Sequence, residues 1–135
     1  MRRILIGLCA AMMLLCCTEK TQTVAVDEES RAGGKALECY KALYIQYRPD
    51  VFLKGRVIAD SLNEEERQQW ITFYKQHVLK MERQRGPVRN IDFCRAEPDT
   101  VLHVMQVFLK LTYDDATQEE IVVPMVKTGH DWRME

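Results

Sequence analysis

Five side chains carry the groups from which proton-transfer chemistry is built: His103, His77, Tyr113, Tyr40 and Tyr44. A general base beside a hydroxyl donor, in a site that excludes water, can abstract a proton and steady the oxyanion that develops, because burial tunes the pKa values and strengthens the hydrogen bonds. His103 and Tyr113 share one face of a period-two run but stand roughly 33 Å apart along an ideal strand, so they cannot serve one another. His103 with Tyr40 or Tyr44, across a helix–sheet gap, is the catalytic pairing left open. A satisfied core histidine is the plainer account of the same residue. No carboxylate of the strand runs is clearly inward, since Asp92 alternates with Ile91 and Phe93 and faces solvent.

A second use for such residues is the wall of a ligand pocket, which combines aromatic surface with few polar groups. Tyr40, Tyr44, Trp70, Tyr74, His77, His103 and Met105 are the candidates. Core packing accounts for the same residues more simply. No metal is expected: there is no Cys-x-x-Cys, no His-x-x-x-His, and the three histidines are far apart. No cofactor is expected either, because Gly33-Gly34-Lys35-Ala36 lacks the length of a phosphate loop and its Ser or Thr. Cys39 and Cys94 form a disulfide only if Cys94 turns inward; otherwise they are two largely buried free thiols.

The elements that must position these groups are legible from hydrophobic period. Ala36, Leu37, Tyr40, Leu43, Tyr44 and Tyr47 fall on one face of a helix over 32–47, stopped by Pro49. Asp50 to Val57 reads as a short helix capped by Asp50. The strongest element is Leu62 to Arg85, opened by the capping-box spacing of Ser61 and Glu64, with Glu64–Glu66 at its positive end, Lys80, Arg83 and Arg85 at its negative end, and Gly86-Pro87 as the stop. Its expected buried stripe is Trp70, Ile71, Phe73, Tyr74, His77, Val78 and Met81.

After Pro87 the period changes to two. Runs over 88–97, 100–113, 117–128 and 131–134 are separated by turns at Glu97-Pro98-Asp99, Asp114-Asp115-Ala116 and Gly129-His130, and such short connections demand antiparallel pairing. The fold class is therefore α+β, with N-terminal helices packed on a curved, mostly antiparallel four-stranded sheet. Only one sheet face can meet the helices. Leu102, Val104 and Phe108 on the other face need a cover, supplied either by a second copy of the chain in a homodimer or by flanking residues.

The chain has 135 residues, 47% hydrophobic and 29% charged, with 19 Lys+Arg against 20 Asp+Glu. That is one domain, and its near-zero net charge argues against nucleic acid as a partner. Arg2 and Arg3 precede an apolar stretch from Ile4 to Leu15, the layout of an export signal; twelve such residues reach about 18 Å, short of the roughly 30 Å membrane core. The run Leu14-Leu15-Cys16-Cys17 resembles the lipobox of bacterial lipoproteins, in which a cysteine is acylated. That resemblance implies lipidation at Cys17, with Cys16 the other choice, and an exported protein held on a membrane by its lipid. Thr18 stands where an inner-membrane retention aspartate would be, so the resemblance implies the outer membrane. The organisation read from this is a signal over 1–16, a flexible tether over 17–30 and one domain over 31–135.

Cys39-Tyr40-Lys41-Ala42-Leu43 in the first helix, Asp60-Ser61-Leu62-Asn63-Glu64-Glu65 before the long one, Gly86-Pro87-Val88-Arg89-Asn90-Ile91 after it, and the closing Gly129-His130-Asp131-Trp132-Arg133 resemble the nuclear transport factor two-like (cystatin-like cone) superfamily. Lipoproteins of Bacteroidetes type are the nearest in pattern. The resemblance implies a cone with a cavity between helices and concave sheet. It leaves open whether that cavity binds a small apolar molecule, hosts an acid–base pair for an isomerase, dehydratase or hydrolase, or is filled. The expectation taken forward is a lipid-anchored, non-enzymatic binding or interaction domain of the cell envelope.

Overall fold

The computed structural model describes residues 27–135. The export signal, Cys17 and most of the tether lie outside the described residues. No helix among the described residues is long and apolar enough to cross a membrane.

Helix α1 covers 27–44. Residues 27–30, assigned to the tether on composition, are thus helical, and Gly33-Gly34 lie inside the helix rather than at its start. Glu28 explains the longer helix. Its carboxylate accepts from Lys127 Nζ at 3.2 Å and from Trp132 Nε1 at 3.2 Å, tying the first turns to the distant β-hairpin. Gly33 is required by packing: a Cβ there would run into the Phe93 ring. The helix ends where Tyr47 takes a left-handed φ of 55°.

Helix α2 (Pro49–Lys54) uses Pro49 as its first residue and Arg48 as its cap position, so Asp50 sits in the first turn instead of capping it. A 3₁₀ turn over Val57–Ser61 follows. Helix α3 (Glu64–Arg85) begins two residues later than expected. Asn63 is its cap, its side-chain oxygen accepting from Glu66 N–H at 2.8 Å. Ser61 is instead the last residue of the 3₁₀ turn, where its hydroxyl donates back to Ile58 O at 2.9 Å. Gly86, at φ 80°, closes the helix as read.

Strands β1 (Val88–Asp99), β2 (Val104–Tyr113), β3 (Gln118–Thr128) and β4 (Asp131–Met134) form an antiparallel meander in sequence order. Met105, Val107, Leu109, Leu111 and Tyr113 point from β2 into one core with Ala32, Ala36, Cys39 and Leu43 of α1, Leu53 of α2 and Tyr74 and Val78 of α3. The sheet is irregular at Cys94, where pairing jumps from Phe93↔Leu109 to Arg95↔Phe108. The bulge leaves Cys94 exposed while Cys39 is buried, and both thiols are free. Cys94 does not turn inward, and only one of the two is buried.

The second strand starts at Val104, not Thr100. Asp99 Oδ1 accepts from the N–H groups of Val101 and Leu102, both at 3.0 Å, which folds Thr100–His103 into a turn. Leu102 is therefore a turn residue, 64% exposed, and not part of the outer sheet face. Val104 is buried within the single chain, and the Phe108 ring lies 3.8 Å beneath the Arg95 guanidinium. Arg95 in turn pairs with Glu97 and Glu120. Arg95 covers part of the Phe108 ring, while the neighbouring Val122 on the same face is 50% exposed.

Candidate functional site

Where α1, α2 and α3 meet β3 and the end of β4, the core opens into a cavity of about 300 Å³. Its wall contains Tyr40, Leu43 and Tyr44 from α1, Phe52 from α2, Arg56 just beyond it, and Phe73, Tyr74 and His77 from α3. Val123, Pro124, Met134 and Glu135 close the sheet side. The helical period places Tyr40 and Tyr44 one turn apart, and Tyr74 and His77 likewise.

The aromatic groups brace one another. Phe52 meets Tyr40 and Tyr74 edge-on, with ring centroids 5.2 Å and 4.9 Å away. Tyr40 and Tyr44 stack at 6.0 Å. Arg56 enters over this frame. Its guanidinium lies 5.1 Å from the Trp70 ring centroid, Nη1 donates to Tyr74 Oη at 2.8 Å, and Nη2 donates to the main-chain oxygen of Glu135 at 3.3 Å. The backbone under Arg56 is fixed as well, since Gly55 O accepts from Met134 N–H at 2.7 Å.

On the opposite wall Tyr44 Oη lies 2.9 Å from His77 Nε2 and 3.5 Å from Met81 Sδ. The hydroxyl either donates to a bare Nε2 or accepts from Nε2–H while donating to the sulfur; the imidazole tautomer decides. Burial raises the Tyr44 pKa far above the ordinary tyrosine range, helped by Tyr40, Tyr113 and Glu119 nearby. Burial also raises Tyr40, with Arg56 opposing. Both hydroxyls therefore stay protonated at any physiological pH and present donors, not phenolates. Tyr40 makes no side-chain hydrogen bond among the described residues, which leaves its hydroxyl for whatever enters.

Of the sequence candidates, Tyr40, Tyr44, Tyr74 and His77 come together on this cavity. Trp70 stands behind Arg56. Met105 is buried in the core opposite Met125, away from the cavity wall. His103 is displaced altogether: it occupies the exposed β1–β2 turn at φ 56° and reaches neither Tyr40 nor Tyr44, so the His103–tyrosine pairing is withdrawn. Phe73, read as part of the buried stripe, is 58% exposed at the cavity rim.

Two charged groups were not anticipated. Arg56 follows a glycine between two short elements, and no local pattern marks it. Glu119 is an inward carboxylate after all, for it shares a face with Ile121, Val123 and Met125, an alternation visible in the sequence. It accepts from Tyr113 Oη at 2.6 Å and from Arg85 Nη1 at 2.9 Å. Arg85 also lies over the Tyr113 ring at 4.2 Å. That carboxylate is engaged on both sides and is not part of the cavity wall, so it does not act as a free base there.

No protein-family model and no curated protein matches the chain. Among solved structures, a crystal structure from Campylobacter jejuni, provisionally described as an NTF2-like transpeptidase, superposes with a TM-score of 0.56 at 14% identity, covering 73% of this chain and 92% of that one. This likeness establishes the fold as NTF2-like: helices followed by a curved four-stranded antiparallel sheet.

Proposed function

We propose that the chain is a ligand-binding domain of the cell envelope, non-enzymatic, tethered to a membrane by lipid at Cys17, and that its cavity holds a small apolar molecule. The observation that carries the reading is the open space itself: about 300 Å³ walled by Tyr40, Tyr44, Phe52 and Tyr74 where a filled core would have left none. That volume lies at the small end of the range for ligand sites, and aromatic walls with a few fixed polar groups are what such sites have in common. Tyr40 and Tyr44, held protonated by burial, offer hydroxyl donors to whatever enters, which suits binding.

Thermal-shift measurement of the full chain against small aromatic and branched apolar molecules tests this. A ligand at 100 times its Kd adds about 2.7 kcal/mol of stability. The shift should vanish in Val123→Phe, which places a ring in the cavity; absence of any shift across the series rejects the reading. For the anchor, metabolic labelling with a palmitate analogue should mark the wild-type chain and not Cys17→Ser.

One observation favours a second reading as an isomerase, dehydratase or hydrolase: the Tyr44–His77 contact at 2.9 Å on the cavity wall. In that reading His77 takes the proton and Tyr44 steadies the oxyanion. Turnover of a carbonyl substrate lost in both His77→Gln and Tyr44→Phe would support it over simple binding.

A further inference from the structure

The tip of the β1–β2 turn carries two adjacent apolar side chains in open water. Val101 is 84% exposed and Leu102 64%, the highest values of any large hydrophobic among the described residues. Gly, Asn, Asp and Ser are the residues that turns of this kind favour, so a Val-Leu pair there calls for a partner. The turn is also prepared to leave water. Asp99 Oδ1 already accepts from the N–H groups of Val101 and Leu102, so two donors that a loop presents to solvent are satisfied within the chain.

The position of the tip in the fold identifies the partner. Register pairs Met105 with Met125 and Thr128 with Asp131, so the β1–β2 and β3–β4 turns project from one end of the sheet, two strand spacings or about 10 Å apart. The first turns of α1 are held at that same end: Glu28 accepts from Lys127 and Trp132, and Arg31 Nη2 donates to His130 O at 3.0 Å. The β2–β3 turn lies at the opposite end. From Cys17 to Asp27 the chain runs ten residues, a length that spans at most about 35 Å when fully extended. A lipid on Cys17 therefore keeps the Val101–Leu102 end close to the bilayer.

We propose that Val101 and Leu102 dock on the membrane that holds the lipid anchor, entering the boundary between headgroups and acyl chains and fixing which end of the domain faces the bilayer. The inference rests on the anchor at Cys17 and adds a second, reversible contact. Two side chains are too few to hold a free protein on a bilayer, but the anchor supplies a high local concentration, and the tip has only to orient what is already there. A second copy of the chain is a poorer occupant, since a turn tip falls far short of the roughly 800 Å² per partner of a stable protein interface. Charge at this end is mixed, with Arg31, Lys35 and Lys127 among Glu28, Glu38 and Asp131, so the contact is apolar and does not call for anionic lipid.

The test uses the full chain, purified from host membranes in detergent and reconstituted into phosphatidylcholine vesicles, with intact mass reporting acylation at Cys17. In a Cys94→Ser background, which leaves Cys39 buried, Thr100→Cys or Asp115→Cys places an environment-sensitive fluorophore at one end of the sheet or the other. The label at Thr100→Cys should emit to the blue and be quenched by phosphatidylcholine spin-labelled near the headgroup, whereas the label at Asp115→Cys should show neither effect. Burial of each apolar side chain favours docking by about tenfold, so Val101→Asp with Leu102→Asp should reduce the quenching at Thr100→Cys to the Asp115→Cys level. The comparison of the two ends stands without that variant, should it fail to fold. Equal quenching at both ends of an acylated chain overturns the docking and leaves the anchor in place. A blue shift without quenching by lipid overturns it as well, because the tip is then covered by protein, and so does quenching that survives both aspartates. A mass without an acyl group overturns the anchor and the docking together.

Discussion

Gly55→Ala is the sharpest test of how the cavity is held. The glycine is at φ −77° and ψ −4°, an ordinary right-handed conformation, so alanine costs nothing in backbone strain. It instead gains about 0.4–1 kcal/mol by restricting the unfolded chain. Against this, the new Cβ would run into Cys39 Sγ, with Phe52 O at 3.3 Å and Met134 Cε at 3.4 Å on its other sides. Cys39 is buried and cannot swing away, so overpacking costs about 1–3 kcal/mol. The net expectation is a loss of about 1–2 kcal/mol, or about 4–8 °C in Tm for a domain of this size. Urea unfolding followed by tryptophan fluorescence should measure it. Cys39→Ala alone removes a buried sulfur and costs about 1 kcal/mol; in the Gly55→Ala background the same truncation relieves the collision, so the double variant should be more stable than the singles predict by about 1–2 kcal/mol. Strict additivity would refute the packing argument, because it would mean the sulfur does not occupy the space that the missing side chain leaves. Phe52 and Met134 adjoin Gly55 and line the cavity, so affinity for an apolar ligand should fall in Gly55→Ala and recover in the double variant.

Gly34 lies in α1 with nothing within 4 Å of a virtual Cβ, so Gly34→Ala should stabilise by about 0.5–1 kcal/mol in thermal melts, whereas a drop would contradict a continuous helix there. Asn63→Ala should cost about 1 kcal/mol by leaving the Glu66 N–H uncapped, a loss that Ser61→Ala should not reproduce in the same unfolding assay. Burial, then the bond to Glu119, pushes the Tyr113 phenol up to about 12 from an ordinary 10. The native state thus holds that proton more tightly than the unfolded chain, and the stabilisation is complete below pH 10 and lost as pH rises towards 12; Tyr113→Phe should flatten the fall in Tm across that window. Maleimide labelling with peptide mapping should modify Cys94 and spare Cys39, whose thiol is buried with its pKa raised by that burial, and equal reaction of both would refute the packing of α1 on the sheet.

Much of the architecture was legible because amphipathic period is a direct record of which face meets the core. The alternation from Met105 to Tyr113 survives intact in β2, and the stop at Gly86-Pro87 ends α3 where read. Failures arose where two local solutions compete for one pattern. Ser61 and Asn63 each precede a glutamate by three residues, and the cap falls to Asn63 because the chain is still in the 3₁₀ turn at Ser61. The period-two run that begins at Thr100 continues past the point where pairing is possible, since the Asp99 carboxylate captures two backbone N–H groups and bends the chain. His103 lost its place in the core through that one side chain.

The site was less legible than the fold for a reason that α1 and α3 make plain. Tyr40, Tyr44, Tyr74 and His77 announce themselves by helical spacing, so their convergence follows once the two helices share a core. Arg56 has no spacing to announce it. Its role comes from contacts with Trp70 and Tyr74 on α3 and with the backbone at Glu135, which local pattern does not connect to it. Packing supplied the aromatic walls, and those would exist in a protein that binds nothing. Arg56 is the exception on that wall: its guanidinium is set there by Tyr74, the Trp70 face and the last residue, Glu135, contacts that no helical or strand period encodes.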